Sequence, residues 1–174
     1  MMEKVKIWII GLGNIGSAVA ENIKKNHAAI LQNSGIDLHV AKVCDVQRHS
    51  VDKLGLNLPF TSDPYEIIND PEISVVVEAI SGEKPAAEYI MAALKAGKHV
   101  VTPNKEVIAK HLLQFLAQAK QSGVELRFEA AVGGGIPIIA ALRESLVCNE
   151  ISEVYGIVNG TTNYILSKML TEGM

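Results

Sequence analysis

Three glycines, Gly11, Gly13 and Gly16, are spaced G-x-G-x-x-G directly after the mostly apolar run Val5 to Ile10. A helical pattern follows at once. That order suits a dinucleotide pyrophosphate. The first glycine permits the tight turn and the second lets backbone approach a phosphate. The third lets helix pack on strand, and the helix start offers unpaired N–H groups to the anion. A purely structural strand-to-helix turn is the plainer alternative. Other residues could do chemistry around that turn. Asp45 ends the next strand-like segment, where an acid takes ribose hydroxyls. Arg48 lies three residues on and could meet a 2′-phosphate, so the two point to NAD and to NADP respectively. Asp45 could equally cap a turn. Ser81 and Gly82 follow a third strand-like run. Lys105 stands after Thr102-Pro103-Asn104, at the strand edge where an open α/β sheet binds ligands. An amine there can bind cofactor charge or act on a substrate carbonyl, or it can be a solvated lysine. A helix's first turn disfavours a cation. Glu129 precedes Val132, Gly134 and Ile136. One carboxylate with main-chain carbonyls in a turn can hold a hard cation; a glutamate bonded to loop amides is the plainer reading. The five histidines show no metal-ligand spacing.

The elements that must position these residues are legible as alternating strands and helices. Val5–Ile10 reads as a buried strand, and residues 14 to about 32 as one helix, with Ile15, Val19, Ile23, Ala28 and Leu31 near helical spacing. His39–Cys44 reads as the second strand and residues 46–62 as irregular. Asp63-Pro64 opens a short helix through Ile68. Ser74–Ala79 is a central parallel strand. Pro85–Ala96 is a helix ended by Gly97. His99–Thr102 is a strand, Lys105 to about Gln121 a helix stopped at Gly123, and Val124–Ala130 a strand. Repetition of β-α-β predicts an α/β fold, a Rossmann-type doubly wound parallel sheet. The character changes at the glycine run 133–135. Helix Ile138–Leu146, strand Ile151–Val158 and a helix from about Asn159 to Leu170 follow. Residues 1–132 are expected to form the dinucleotide-binding domain. Residues 133–174 are expected to begin a second, α+β domain, since one strand makes no sheet alone.

Composition narrows the classes. With 174 residues and 48% hydrophobic content, the chain can bury a core and is neither disordered nor fibrous. A net charge of −3 gives no general attraction to nucleic acid or anionic membrane. No apolar run approaches the ~20 residues of a membrane span. Cys44 and Cys148 read as buried free thiols in a reducing compartment. The expectation is a cytoplasmic protein with a small-molecule partner and neither nucleic acid nor membrane.

Four runs extend the glycine fingerprint: Val75-Val76-Val77-Glu78-Ala79-Ile80-Ser81-Gly82, Gly97 to Lys105, Glu129 to Ile139, and Gly156 to Leu166. With them the chain resembles the N-terminal part of homoserine dehydrogenase from Lys4 to Gly173. The resemblance implies an NAD(P)-dependent interconversion of L-homoserine and L-aspartate 4-semialdehyde, in threonine, isoleucine and methionine biosynthesis. It implies that Leu12, Asn14 and Ile15 lie at the pyrophosphate. It puts Ser81 beside the nicotinamide half, where the family more often has Gly-Gly. Lys105 falls near nicotinamide and substrate. Glu129, Val132, Gly134 and Ile136 match a monovalent cation site, usually sodium, and Gly160 and Thr161 edge the substrate pocket. The family continues with Asp-Pro-x-x-Asp and a second lysine that grip homoserine, and it pairs as homodimers. This chain stops before those residues, so it is expected to be a truncated portion, poorly active alone. A non-catalytic NAD(P)-binding sensor module and another Rossmann reductase of amino-acid biosynthesis are the alternatives. Residues 129–166 weigh against the sensor.

Overall fold

The structure, a computed structural model, describes residues 3–173. It divides into two compact units, residues 1–136 and 137–174.

The first unit is built on β1 (Glu3–Ile10), whose apolar run Ile7–Ile10 is buried from both faces. Helices α1 (Asn14–Lys25) and α2 (His27–Ser34) follow, then β2 (Ile36–Cys44). The single helix expected over 14–32 is broken at Asn26, whose backbone leaves the helical region at φ −102°, ψ 15°. The Asn26 amide side chain also bonds that of Asn22 at 3.4 Å, and such local side-chain bonds compete with helix continuation. Next come α3 (His49–Leu54), β3 (Phe60–Thr61) and α4 (Pro64–Ile68). The stretch expected to be irregular thus holds a helix and a strand, because Val51 is buried and Leu54, Leu56, Leu58 and Phe60 pack on the same core as Ile7 and Val43. Asp63 caps α4 as the Asp-Pro pair predicts, its carboxylate accepting from the Tyr65 N–H at 2.9 Å.

The remaining elements are β4 (Val75–Glu78), α5 (Ala86–Lys95), β5 (His99–Val101), α6 (Lys105–Ser122) and β6 (Leu126–Arg127). All six strands are parallel, in the order β3-β2-β1-β4-β5-β6. The chain therefore reverses direction across the sheet between β1 and β4. In such sheets the crevice outside the carboxyl ends of those strands is where ligands bind. β6 is shorter than expected, since its only neighbour, β5, offers Val100 and Val101 for pairing. Glu129 consequently lies not in a strand but in a 3-10 turn, Glu129–Ala131.

The second unit contains a π-helical turn, Ala141–Ser145, and α7 (Gly160–Glu172). The helix expected over 138–146 is reduced to residues 139–145. The strand expected over 151–158 does not form. Among the described residues of this unit no second extended segment pairs with it, and an unpaired strand has nowhere to place its backbone hydrogen bonds. Residues 137–173 include none that is buried. Cys148, expected buried, is accordingly exposed, while Cys44 is buried and both are free thiols. No helix among the described residues is long and apolar enough to cross a membrane.

Candidate cofactor site

The glycine loop sits where β1, β2 and β4 end. Gly11 adopts φ +98°, and a Cβ there would lie 2.7 Å from the Ala79 carbonyl oxygen. A Cβ on Gly16 would lie 1.9 Å from the Gly11 carbonyl oxygen, so the third glycine lets α1 close onto the loop. Gly13 differs from both. Its backbone is extended, which any residue can adopt, and a Cβ there would meet nothing within 4 Å. Open space therefore faces this glycine. Gly13 also caps α1 without a side-chain hydrogen bond, and the first turn of α1 carries no acidic residue. The helix start thus keeps its orphan N–H donors and positive dipole end directed at a surface that only a glycine leaves bare.

Two hollows meet at this loop. One is lined by Gly11, Gly13, Cys44, Asp45, Ser81 and Tyr89, among others. The other is lined by Gly13, Asn14, Ile15, Ser81, Asn104 and Lys105, with Ala130 at its edge. They share Gly13, Ala79, Ile80 and Ser81, and so form one crevice across the switch point.

The structure brings most of the sequence-predicted residues to this crevice. Asp45 lies in the first hollow, but its carboxylate has a task already. Oδ2 accepts the Leu12 N–H at 2.7 Å and Oδ1 accepts the Gln47 N–H at 2.9 Å. Leu12 itself is a core side chain whose amide is engaged by Asp45, while Asn14 and Ile15, which open α1, line the second hollow. Arg48 is not brought in. It lines a separate hollow with Val51 and Leu58, and its guanidinium lies 5.9 Å from the Phe60 ring centroid. Cys44 lines the floor of the first hollow, and burial pushes its thiol up to about 11, so it stays protonated and unreactive.

Lys105 opens α6, exposed, at the rim of the second hollow. What holds it there is a network absent from the sequence reading. Glu78, the last residue of β4, is buried at 1% exposure. Its carboxylate accepts the Ile80 N–H and the Thr102 hydroxyl, each at 2.6 Å. Thr102 Oγ1 accepts the Asn104 N–H at 3.0 Å. Asn104 donates through Nδ2 to the carbonyls of Ile80 (3.1 Å) and Gly82 (2.7 Å), while its Oδ1 caps α6 by accepting the Val107 N–H at 3.2 Å. Burial drives the Glu78 carboxyl above the ordinary range, opposed by the bonds from Thr102, Ile80 and Asn104. A glutamate closing an apolar strand run, with Thr and Asn at the end of the neighbouring strand, was the available signal.

Within the first unit, Glu129, Val132, Gly134 and Ile136 do not line either hollow. The Glu129 carbonyl accepts the Val132 N–H at 3.1 Å and the Gly133 N–H at 3.4 Å, and Gly134 turns the chain at φ +61°. In the second unit, Gly160 and Thr161 form the first turn of α7, capped by Asn159, whose Oδ1 accepts the Thr162 N–H at 2.8 Å.

A six-stranded parallel sheet with a bare glycine turn at its switch point defines a dinucleotide-binding domain of the Rossmann type. Comparison with known proteins narrows this. The model of the homoserine dehydrogenase NAD binding domain matches residues 11–129, and that of homoserine dehydrogenase matches residues 137–174. The chain belongs to the homoserine dehydrogenase family. It is 38% identical to a homoserine dehydrogenase of Bacillus subtilis (strain 168), over 98% of this chain and 40% of that protein. It superposes on the crystal structure of a homoserine dehydrogenase from Thiobacillus denitrificans with a TM-score of 0.87 at 41% identity, covering 99% of this chain and 40% of that one. A hyperthermophilic archaeal homoserine dehydrogenase in complex with NADPH matches with a TM-score of 0.78 at 29% identity, covering 98% of this chain and 57% of the other. The chain thus spans about 40% of the length of the bacterial relative it matches.

Proposed function

We propose that this chain is the cofactor-binding portion of an enzyme that interconverts L-homoserine and L-aspartate 4-semialdehyde with NAD(P). Residues 1–132 serve as the dinucleotide domain and residues 133–174 begin the substrate-binding, catalytic and dimerisation domain. The observation that carries the reading is the uncapped start of α1 above Gly13, whose missing Cβ leaves open space.

When bound, the nicotinamide exchanges hydride with the carbon that is aldehyde in one substrate and alcohol in the other. The chain's residues bind and orient. The amides of Asn14 and Ile15 hold the pyrophosphate. Asp45, in the hollow beside the loop, accepts ribose hydroxyls. With Arg48 turned onto Phe60, this arrangement supports NAD over NADP. Ser81 and Gly82 line the nicotinamide half. Lys105 directs its ammonium at the carbonyl oxygen, steadies developing alkoxide charge and exchanges a proton with it. Glu129 and the carbonyls of Val132, Gly134 and Ile136 fit a hard monovalent cation such as sodium, because a carboxylate and turn carbonyls are oxygen donors. Gly160 and Thr161 border the substrate. By the same reading the whole enzyme is a cytoplasmic homodimer.

The test is a calorimetric titration of NADH and NADPH into this chain and into Gly13→Val. The extended backbone at Gly13 admits valine, so the variant keeps its melting temperature while its affinity falls at least ~10-fold, a loss of ~1.4 kcal/mol. Unchanged affinity in a folded Gly13→Val rejects the placement of the pyrophosphate.

A further inference from the structure

The break between α1 and α2 has a partner on the sheet. It makes His27 the first residue of α2, beside β2. On β2, Asp37 and His39 are two positions apart and therefore share a face. The three side chains converge. His27 Nε2 lies 2.8 Å from Asp37 Oδ1, and His39 Nε2 lies 2.6 Å from the same oxygen. The two imidazole centroids are 4.7 Å apart with planes at 38°. One ligand atom from each residue falls within 4.8 Å of the other two. All three residues are partly exposed. Asp37 and His39 pair with Lys4 and Lys6 near the start of β1. The cluster is thus about five residues, or roughly 16 Å, down the strand from the glycine loop.

We propose that His27, Asp37 and His39 form a binding site for a divalent transition ion of the zinc type, separate from the cofactor crevice. Two imidazoles and a carboxylate are a ligand set that zinc takes in open sites, with water in the fourth position. Their nitrogen and oxygen donors suit zinc and its first-row neighbours better than magnesium or calcium, which favour oxygen alone. An ion about 2.0–2.2 Å from each donor needs ligand atoms ~3.3 Å apart. The His27 ring then recedes from the carboxylate by about 0.5 Å and the His39 ring by about 0.7 Å, which partly exposed side chains permit. The solvent side supplies the fourth ligand. Beside the rings lies a hollow lined by Ala20, Ile23, Leu38, Val40, Leu56 and Leu58, together with Lys24. The apolar residues limit competition from water at the inner side, whereas the Lys24 ammonium opposes the ion and tempers affinity. The bound ion would staple α2 to β2.

Without an ion the same three groups form a hydrogen-bonded clamp, and the experiment separates the two. Metal-free chain carrying Cys148→Ser, which removes the exposed thiol, is titrated with Zn²⁺ by calorimetry at neutral pH. The same sample takes Co²⁺ under visible absorption. One ion per chain binds, the cobalt spectrum shows low-symmetry nitrogen and oxygen ligation, and the melting temperature rises with Zn²⁺. His39→Gln and His27→Gln keep a hydrogen-bond donor for Asp37, and so preserve the clamp, but each lowers zinc affinity at least ~10-fold. His111→Ala, at a histidine paired with Glu83 elsewhere, leaves it unchanged. Zinc binding that survives both glutamine variants, or no saturable binding at millimolar zinc, overturns the site.

Discussion

Lys105 is placed by its neighbours more than by its own contacts. Asn104 caps its helix and ties both the Ile80 and the Gly82 carbonyls, so the amine is delivered to the rim of the crevice by a rigid corner. In a version of the enzyme extended to the length of its relatives, Lys105→Ala lowers kcat by ~10²-fold or more if the amine acts on the carbonyl oxygen. A rise in cofactor KM with kcat intact identifies a role in charge neutralisation alone. Lys105→Arg keeps the charge but cannot readily give up a proton, so rescue by arginine assigns the effect to charge. Glu78 behaves differently because it is buried. Its folded-state pKa is raised above the ordinary value, with burial as the main cause. The native state therefore holds the proton more tightly than the unfolded chain. The group's favourable contribution is full below the ordinary carboxylate range and is lost as pH rises through the raised value. Glu78→Gln removes that dependence. The variant leaves one of the two donors, Ile80 N–H or Thr102 hydroxyl, poorly matched and starts ~1–3 kcal/mol less stable at acid pH. Its deficit then narrows toward pH 7. Chemical denaturation at a series of pH values measures this, and a deficit that widens with pH contradicts the raised carboxyl.

At the scale of elements, the sequence shows β1, β4 and α6 plainly, because a continuous apolar run or a helical stripe between glycines leaves few alternatives. The glycine loop is equally legible, since Gly11 and Gly16 each answer a steric demand and Gly13 leaves the space beside it open. Other elements depend on contacts distant in sequence. The end of α1 at Asn26 goes with His27 reaching Asp37 on β2, a pairing that no local pattern announces. The helix α3 and strand β3 form because Val51, Leu54 and Phe60 find the core of the first unit; alone, residues 46–62 look polar and irregular. Arg48 illustrates the same limit within the site. Its distance from Asp45 in sequence suggests a shared pocket, but the start of α3 turns it onto Phe60. The segment 151–158 shows the converse case, in which β-branched and aromatic residues suit a strand but the described residues supply no neighbour. Its amides lack ladder bonds, so in this chain they exchange with deuterium orders of magnitude faster than those of Trp8, Ile9 and Val77. Protection of 151–158 comparable to that of β1 in hydrogen-exchange mass spectrometry disproves the unpaired state.

For the molecule as a whole, the two units differ in how they treat apolar side chains. The first encloses Ile9, Ile10, Ile90, Leu94 and Phe115 almost completely. The second leaves Val154, Tyr155, Ile157, Val158, Leu166 and Leu170 more than half exposed. Colloidal behaviour follows from that contrast. Only charge keeps such surfaces from meeting, and the chain carries a net charge of just −3 at pH 7 with an isoelectric point near 5.9. Repulsion between molecules vanishes close to that pH, and apolar patches then associate. Light scattering should therefore rise to a maximum near pH 6 and fall again toward pH 8. Added salt should flatten the recovery on the alkaline side by screening what repulsion exists. Replacing Val158 and Leu170 by lysine and glutamate, which leaves net charge unchanged, should suppress the maximum. The shelf life of this chain in solution is thus set at its second unit, not by the sheet that holds its cofactor crevice.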